Sequence, residues 1–289
     1  VRNMQSFAFL RPTSLAETLA LMSEHAGHCR VVAGGTDLVP ALREGRLQDV
    51  SVLIDVRRRP ELQGIKRTEH GLWLGGGTTF TAIVQSAEVS SAWSLLVEAS
   101  RQVGGKQIRN LATLAGNVAN ASPAADSIPA LLCLEARVSL LSTRGTREVQ
   151  LENYLEEKTT GQNPLNELLL GFLLPYPRAK TQARFVKVAR RQALAIARLS
   201  LAIAGHAEDG VIDWVHVAPG AVLPYPQRLT KVEQFLTGCR LSAEICRAAA
   251  ELAAKEILAQ SGKRPSFDYK LPVLKELVKE MLEELRERV

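Results

Sequence analysis

The sequence predicts an α+β fold in three parts, and three observations carry that prediction. The first sixty residues alternate helical and strand patterns in the order of a small α/β lobe. From Glu61 onward, hairpin patterns and glycine-rich turns take over. Beyond about Pro175, antiparallel strand patterns meet at a Glu208-Asp209-Gly210 turn and give way to long helical stripes. The expected divisions are 1–60, 61–175 and 176–289.

Each element has a local reason. Ser14-Leu15-Ala16-Glu17 is a capping box, in which a serine oxygen and a glutamate side chain satisfy first-turn N–H groups. Leu15, Leu19 and Met22 then share one helical face, and Gly27 suits the stop. "CRVVAGG" is a short buried strand. The next helix runs from Leu38 to Gly45, with Pro40 tolerated only in its first turn. "SVLIDV" (51–56) is a second buried strand. "GIKRT", the turn "EHG" and "LWLGGG" form a hairpin, after which Thr78 caps a helix through Ser86. A further helix is expected over Ser90 to Val103, a helical run near Ile128 to Leu134, and a hairpin in "ARVSLLS-TRGT-REVQL". The C-terminal part ends in helices over Leu241 to Gln260 and along the stripe Leu274, Leu277, Val278, Met281, Leu282 and Leu285.

Composition narrows the function classes. With 46% hydrophobic and 23% charged residues over 289 positions, the chain is of ordinary globular type. No apolar run reaches the length of a membrane span, and no secretory signal is read at the N-terminus, so a cytoplasmic location is expected. Cys29, Cys133, Cys239 and Cys246 are scattered without a C-x-x-C, which suits reduced thiols and assembles no metal or iron–sulfur cage. The five histidines are isolated. A net charge of +6 favours an anionic ligand slightly, and "VRRRP" at 56–60 is the one tight basic cluster. With three Trp, four Tyr and seven Phe and no basic–aromatic interleaving, nucleic-acid binding by base stacking is not supported.

Two glycine-containing turns carry the chemistry. In Val32-Ala33-Gly34-Gly35-Thr36-Asp37-Leu38, an apolar strand enters a helix start whose bare N–H groups suit an anion. In Thr113-Leu114-Ala115-Gly116-Asn117, continuing to Asn120 and Asp126, a small-residue turn offers a hydroxyl and then a carboxylate for sugar or sugar-alcohol hydroxyls. Either turn alone is consistent with a purely structural bend. Two of them, with neither a Walker lysine nor G-x-G-x-x-G, argue for a dinucleotide held outside the Rossmann scheme.

"VVAGGTDL" followed some eighty residues later by "TLAGNVANASPAADSIPALL" resembles the paired flavin-binding signatures of the molybdenum hydroxylase flavoprotein subunits, the xanthine dehydrogenase and carbon monoxide dehydrogenase type. The likeness extends through "GLWLGGGTTFTAI", "FVKVARRQALAIARLSLAIA" and "HVAPGAVLPYPQRLTKVEQFLTG". It implies a PCMH-type FAD-binding fold, with N-terminal and middle lobes of α/β type gripping FAD and a C-terminal domain of antiparallel strands and helices beside them. By that resemblance Val32 to Leu38 cradle the pyrophosphate from one side, and Thr113, Ala115, Gly116 and Asn117 meet it from the other. Asn120 and Asp126 match positions near the ribityl or adenosine moiety, and Leu174 and Lys187 match positions by the isoalloxazine. Ala115 departs from a Gly-Gly pair in many relatives, and Ala193 stands where some xanthine-oxidising relatives are acidic. The implied function is electron transfer within a complex. A molybdenum-cofactor large subunit oxidises substrate, a [2Fe-2S] small subunit relays the electrons, and this chain's FAD passes them to an acceptor such as NAD. Two rival readings are a self-sufficient FAD-dependent oxidoreductase and a non-enzymatic anion- or RNA-binding module.

Overall fold

The structure, a computed structural model, describes residues 6–162, 166–191 and 194–287. The chain opens with β1 (Ala8–Leu10), α1 (Leu15–Glu24), β2 (Cys29–Val32), α2 (Leu38–Arg43) and β3 (Val52–Asp55). These three strands form one parallel sheet in the order β1-β3-β2. Ser14 caps α1 by accepting from the Glu17 N–H. Glu17 reaches one residue further back than a capping box predicts, to the N–H and hydroxyl of Thr13. Leu19 and Met22 of α1 pack with Val52, Ile54 and Val56 on one face of the sheet. On the other face, Leu38 and Leu42 of α2 pack with Val32, Val50 and Leu53.

The hairpin β4 (Ile65–Thr68) and β5 (Gly71–Gly75) follows, then α3 (Phe80–Gln85). Thr79, one residue beyond the expected Thr78, caps α3 through its side-chain oxygen. The single helix expected over Ser90 to Val103 is two, α4 (Ala87–Ala92) and α5 (Ser94–Arg101), broken at the fully buried Trp93. Next come α6 (Lys106–Arg109), α7 (Leu114–Asn120) and α8 (Ser127–Cys133). The antiparallel pair β6 (Arg137–Ser142) and β7 (Gly145–Gln150) precedes α9 (Leu151–Thr160) and β8 (Leu168–Pro175). Strand β8 inserts between β5 and β6, giving a five-stranded antiparallel sheet in the order β4-β5-β8-β6-β7. Its glycine, Gly171, leaves room for the Trp73 ring and the Leu74 carbonyl, which a Cβ there would meet at 2.6 and 2.5 Å.

The remaining elements are β9 (Gln182–Val188), β10 (Leu199–Glu208), β11 (Val211–Gly220), α10 (Thr230–Leu236), α11 (Ala243–Ser261) and α12 (Phe267–Glu287). The strands form an antiparallel sheet, β11-β10-β9, turned at Asp209 and Gly210, both with positive φ. Leu199, Leu201 and Ile203 of β10 share a core with the apolar stripes of α11 and α12. No helix among the described residues is long and apolar enough to cross a membrane.

Two compact units result, and the chain is not divided between them by a single cut. The first comprises Val1–Ser86, Lys106–Asn120 and Ala136–Pro175. The second comprises Ala87–Gly105, Ala121–Glu135 and Tyr176–Val289. Thus 87–105 and 121–135, expected with the middle lobe, group with the C-terminal residues. Hydrogen bonds within that second unit give the reason. The Glu98 carboxylate accepts the Phe185 N–H at 3.0 Å, the Pro123 carbonyl accepts the Ala221 N–H at 2.7 Å, and the Cys133 thiol reaches the Ala202 carbonyl.

Candidate functional site

Both glycine-containing turns lie in the first unit, and they touch. After β2 the chain bends through Ala33 to Asp37 at the C-terminal edge of the parallel sheet. A Cβ on Gly34 would fall 2.1 Å from the Leu111 carbonyl oxygen and 2.9 Å from the Ala112 Cα. The bare Cα of Gly34 is therefore what lets the first turn lie against the segment leading into the second. Gly35 has a different task. Its φ of +69° is the left-handed region, and a Cβ there would meet only side chains of Val39 and Val32 at 3.4 and 3.8 Å.

The hydrogen-bond accounts of the two turns differ. Among the described residues, the N–H groups of Gly35, Thr36, Asp37 and Leu38 have no partner within the chain, while the Gly35 carbonyl already accepts from Val39. Asp37 makes no side-chain capping bond, and desolvation raises its carboxyl above the usual range, with Arg46 opposing. Backbone donors in such a position seek an external acceptor.

The second turn is helical and self-satisfied. Leu114 donates to the Thr78 carbonyl at 2.9 Å and Ala115 to the Gly76 carbonyl at 3.0 Å. Gly116 donates to the Thr113 hydroxyl oxygen at 3.1 Å, and Asn117 to the Thr113 carbonyl at 3.0 Å. Thr113 itself is buried. The Ala115 methyl sits against Gly76, where a second Cβ would come within 3.0 Å of it. Gly76 thus accommodates the departure from Gly-Gly at Ala115. Asn120 is exposed at the end of α7. Leu174 lies on β8 opposite Leu72 and is fully buried, which gives it a packing environment. Ala193 is outside the described residues.

Asp126 and Lys187 belong to the second unit, and the structure brings them together although they stand 61 positions apart. Their Oδ2 and Nζ atoms are 2.7 Å apart, with side chains only 8% and 6% exposed. Lys187 Nζ also donates to the Gln102 carbonyl at 2.9 Å, so α5, α8 and β9 all meet at this ammonium. Asp126 is pushed up to about 6 because burial penalises its charge more than Lys187 relieves it. Its other oxygen, Oδ1, is buried without a hydrogen-bond partner. Ser200, directly opposite Lys187 on β10, carries a second such atom in its hydroxyl oxygen. Gln102 and Ser200 had no signal in the sequence, because one contributes a backbone carbonyl and the other is a serine in an apolar strand.

Comparison with known proteins agrees along the whole length. The family model described as the FAD binding domain in molybdopterin dehydrogenase matches residues 5–177, and that of the CO dehydrogenase flavoprotein C-terminal domain matches residues 184–285. The chain is 32% identical over 291 residues to the nicotinate dehydrogenase FAD-subunit of Eubacterium barkeri, covering 98% of each. It is 26% identical to the xanthine dehydrogenase FAD-binding subunit of Escherichia coli O157:H7, covering 96% of this chain and 95% of that one. Among solved structures, it is similar to a carbon monoxide dehydrogenase from Hydrogenophaga pseudoflava that lacks the Mo-pyranopterin moiety of its cofactor. The TM-score is 0.89 at 25% identity, over 96% of each chain. By these matches the chain belongs to the FAD-binding medium-subunit family of molybdenum hydroxylases, oxidoreductases of the carbon monoxide and xanthine dehydrogenase type, with FAD as its cofactor.

Proposed function

We propose that this chain is the electron-transferring flavoprotein of a molybdenum hydroxylase complex. It receives electrons from [2Fe-2S] clusters on a small subunit, fed in turn by a molybdenum-cofactor large subunit, and passes them to a final acceptor such as NAD. The observation that carries the reading is the row of partnerless N–H groups from Gly35 to Leu38. FAD, when bound, supplies the one- and two-electron carrier chemistry. The chain's residues bind and orient it.

In this reading Gly35, Thr36, Asp37 and Leu38 donate their N–H groups to the diphosphate, with Val32, Ala33 and Gly34 shaping the turn. Thr113, Ala115, Gly116 and Asn117 form the wall behind it; the N–H groups of Ala115, Gly116 and Asn117 are spent within the chain, so Thr113 and Asn117 contribute through their side chains. The Asp126 Oδ1 atom and the Asn120 amide are hydrogen-bonding groups for the ribityl or adenosine moiety. Lys187, positioned by Asp126 and the Gln102 carbonyl, serves the isoalloxazine end. Leu174 acts by packing within the five-stranded sheet, opposite Leu72. The relatives' names support the division of labour, since they are a dehydrogenase FAD-subunit and a medium chain.

Gly35→Asp tests the seat. Aspartate is among the side chains least strained in the left-handed region, so it disturbs the turn less than most while adding a carboxylate beside the proposed diphosphate position. Titration of the purified protein with FAD, read by flavin fluorescence, should show affinity lower by at least about a hundredfold. Unchanged affinity would show that the diphosphate lies elsewhere. Anaerobic mixing of the reduced complex with NAD, followed at the flavin absorbance, tests the acceptor. No reoxidation removes NAD from the reading.

A further inference from the structure

We infer that Arg57, clamped on the buried Asp55, is a diphosphate-binding residue of the FAD seat, with Arg11 as its weaker companion. The inference rests on the seat proposed above. The three strands of the first sheet are parallel, so their C-terminal ends share one edge. Leu10 pairs with Ile54, and Val32 pairs with Asp55. Arg11, Asp55 and the turn that begins at Ala33 therefore lie side by side along that edge, on strands about 4.8 Å apart. Ligands of parallel sheets bind beyond such edges.

Side-chain alternation places them on the same face as well. Leu53 and Val32 pack with Leu38 and Leu42 on the α2 side. Asp55, two residues after Leu53, points to that side too. Its side chain is 5% exposed, and it is held charged by hydrogen bonds from Arg57, with its carboxyl below the usual range.

The clamp leaves one arm of the guanidinium over. Arg57 gives Nε and Nη2 to the two Asp55 oxygens at 2.9 and 2.8 Å, and its backbone N–H to Oδ1 at 3.0 Å. The Gln63 amide fixes the Arg57 carbonyl at 3.2 Å. Nη1 has no partner among the described residues, and the side chain is half exposed. Arg11 approaches the same carboxylate at 3.6 Å while its guanidinium lies 5.1 Å over the Phe9 ring. Two cations on one carboxylate leave a net positive charge at the sheet edge. The turn from Ala33 to Leu38 has no cation of its own and carries the acidic Asp37. A doubly anionic diphosphate on bare N–H groups needs that compensation, and a forked guanidinium supplies it with direction. The basic run at 56–60 thus acquires a division: Arg57 is anchored by Asp55, and Arg58 has no carboxylate anchor among the described residues.

The experiment is FAD titration of the full chain in its purified complex, after removal of flavin, for Arg57→Gln, Arg57→Lys, Arg58→Gln and Asp55→Asn/Arg57→Gln. The double variant removes clamp and cation together, so no buried carboxylate is left unpaired. Arg57→Gln and the double variant should bind FAD about ten- to a hundredfold more weakly, with a flatter salt dependence. Arg57→Lys should recover part of the loss, and Arg58→Gln should match the wild type. Inorganic pyrophosphate should compete with FAD less well in Arg57→Gln than in the wild type. The inference is overturned by unchanged affinity in the double variant, by an equal loss in Arg58→Gln, or by subunit dissociation with FAD retained, which would make the run a docking surface. Gly35→Asp separates the two levels. If it binds FAD normally the seat itself is misplaced, whereas if it fails while Arg57→Gln binds normally only the arginine's role is wrong.

Discussion

The turn at Gly34–Leu38 and the turn at Thr113–Asn117 look alike as sequences, yet they are opposites as hydrogen-bonding objects. Each pairs a threonine hydroxyl with small residues at a helix start. In the first, four consecutive N–H groups have no partner in the chain. In the second, the four N–H groups from Leu114 to Asn117 all donate to Gly76, Thr78 or Thr113. One turn leaves its donors without partners in the chain, while the other satisfies its own. The contact of Gly34 with Leu111 and Ala112 joins them, so the self-sufficient turn fixes the shape of the dependent one.

Substitutions can break this contrast. Gly34→Ala drives a methyl into two backbone groups that have no side-chain freedom to yield. It should cost more than about 3 kcal/mol in a urea unfolding titration, at the upper end of overpacking effects, and abolish FAD uptake. A variant of near wild-type stability would mean that the two turns are not held by this contact.

Thr113→Ala comes next. It removes the oxygen that receives the Gly116 N–H and leaves a part-buried donor unsatisfied, for about 1 kcal/mol of stability, with Thr113→Ser recovering most of it. FAD affinity should fall far less than in Gly35→Asp. If it falls equally at unchanged stability, the second turn is a seat as well and the contrast fails. The smallest effect belongs to Ala115→Gly, which makes a Gly-Gly pair with Gly116. Calorimetry should show a loss below about 1 kcal/mol from helix propensity, with FAD affinity unchanged.

Local chemistry made the first lobe legible. The cap at Ser14, the stop at Gly27 and the strands at 29–32 and 52–55 follow from side chains within a few residues of one another. Helix α7 was hidden because it buries only Leu114 and Val118 and contains Gly116, Asn117 and Asn120, all poor helix formers. Carbonyls of Gly76 and Thr78, more than thirty residues earlier, start it. Strand β8 was unread for a related reason: "LLLGFLLP" is apolar throughout, buried on both faces, and without a period to choose between helix and strand. In the candidate site, the turns were visible as composition. The state of their N–H groups, the ion pair of Asp126 with Lys187, and the clamp of Arg57 on Asp55 depend on register and tertiary packing.

The place of β8 also constrains how the protein is made. Gly71 on β5 pairs with Pro175, so the centre of the five-stranded sheet stays open while roughly a hundred intervening residues emerge from the ribosome. At ordinary synthesis rates that wait is on the order of ten seconds. Throughout it, one side of β5 is paired only with the charged β4, and the other is a bare apolar edge. For a nascent chain, the Lys66-Arg67 pair on β4 is thus a guard against premature strand addition from that side, and β8 is the closing stave that ends the exposure.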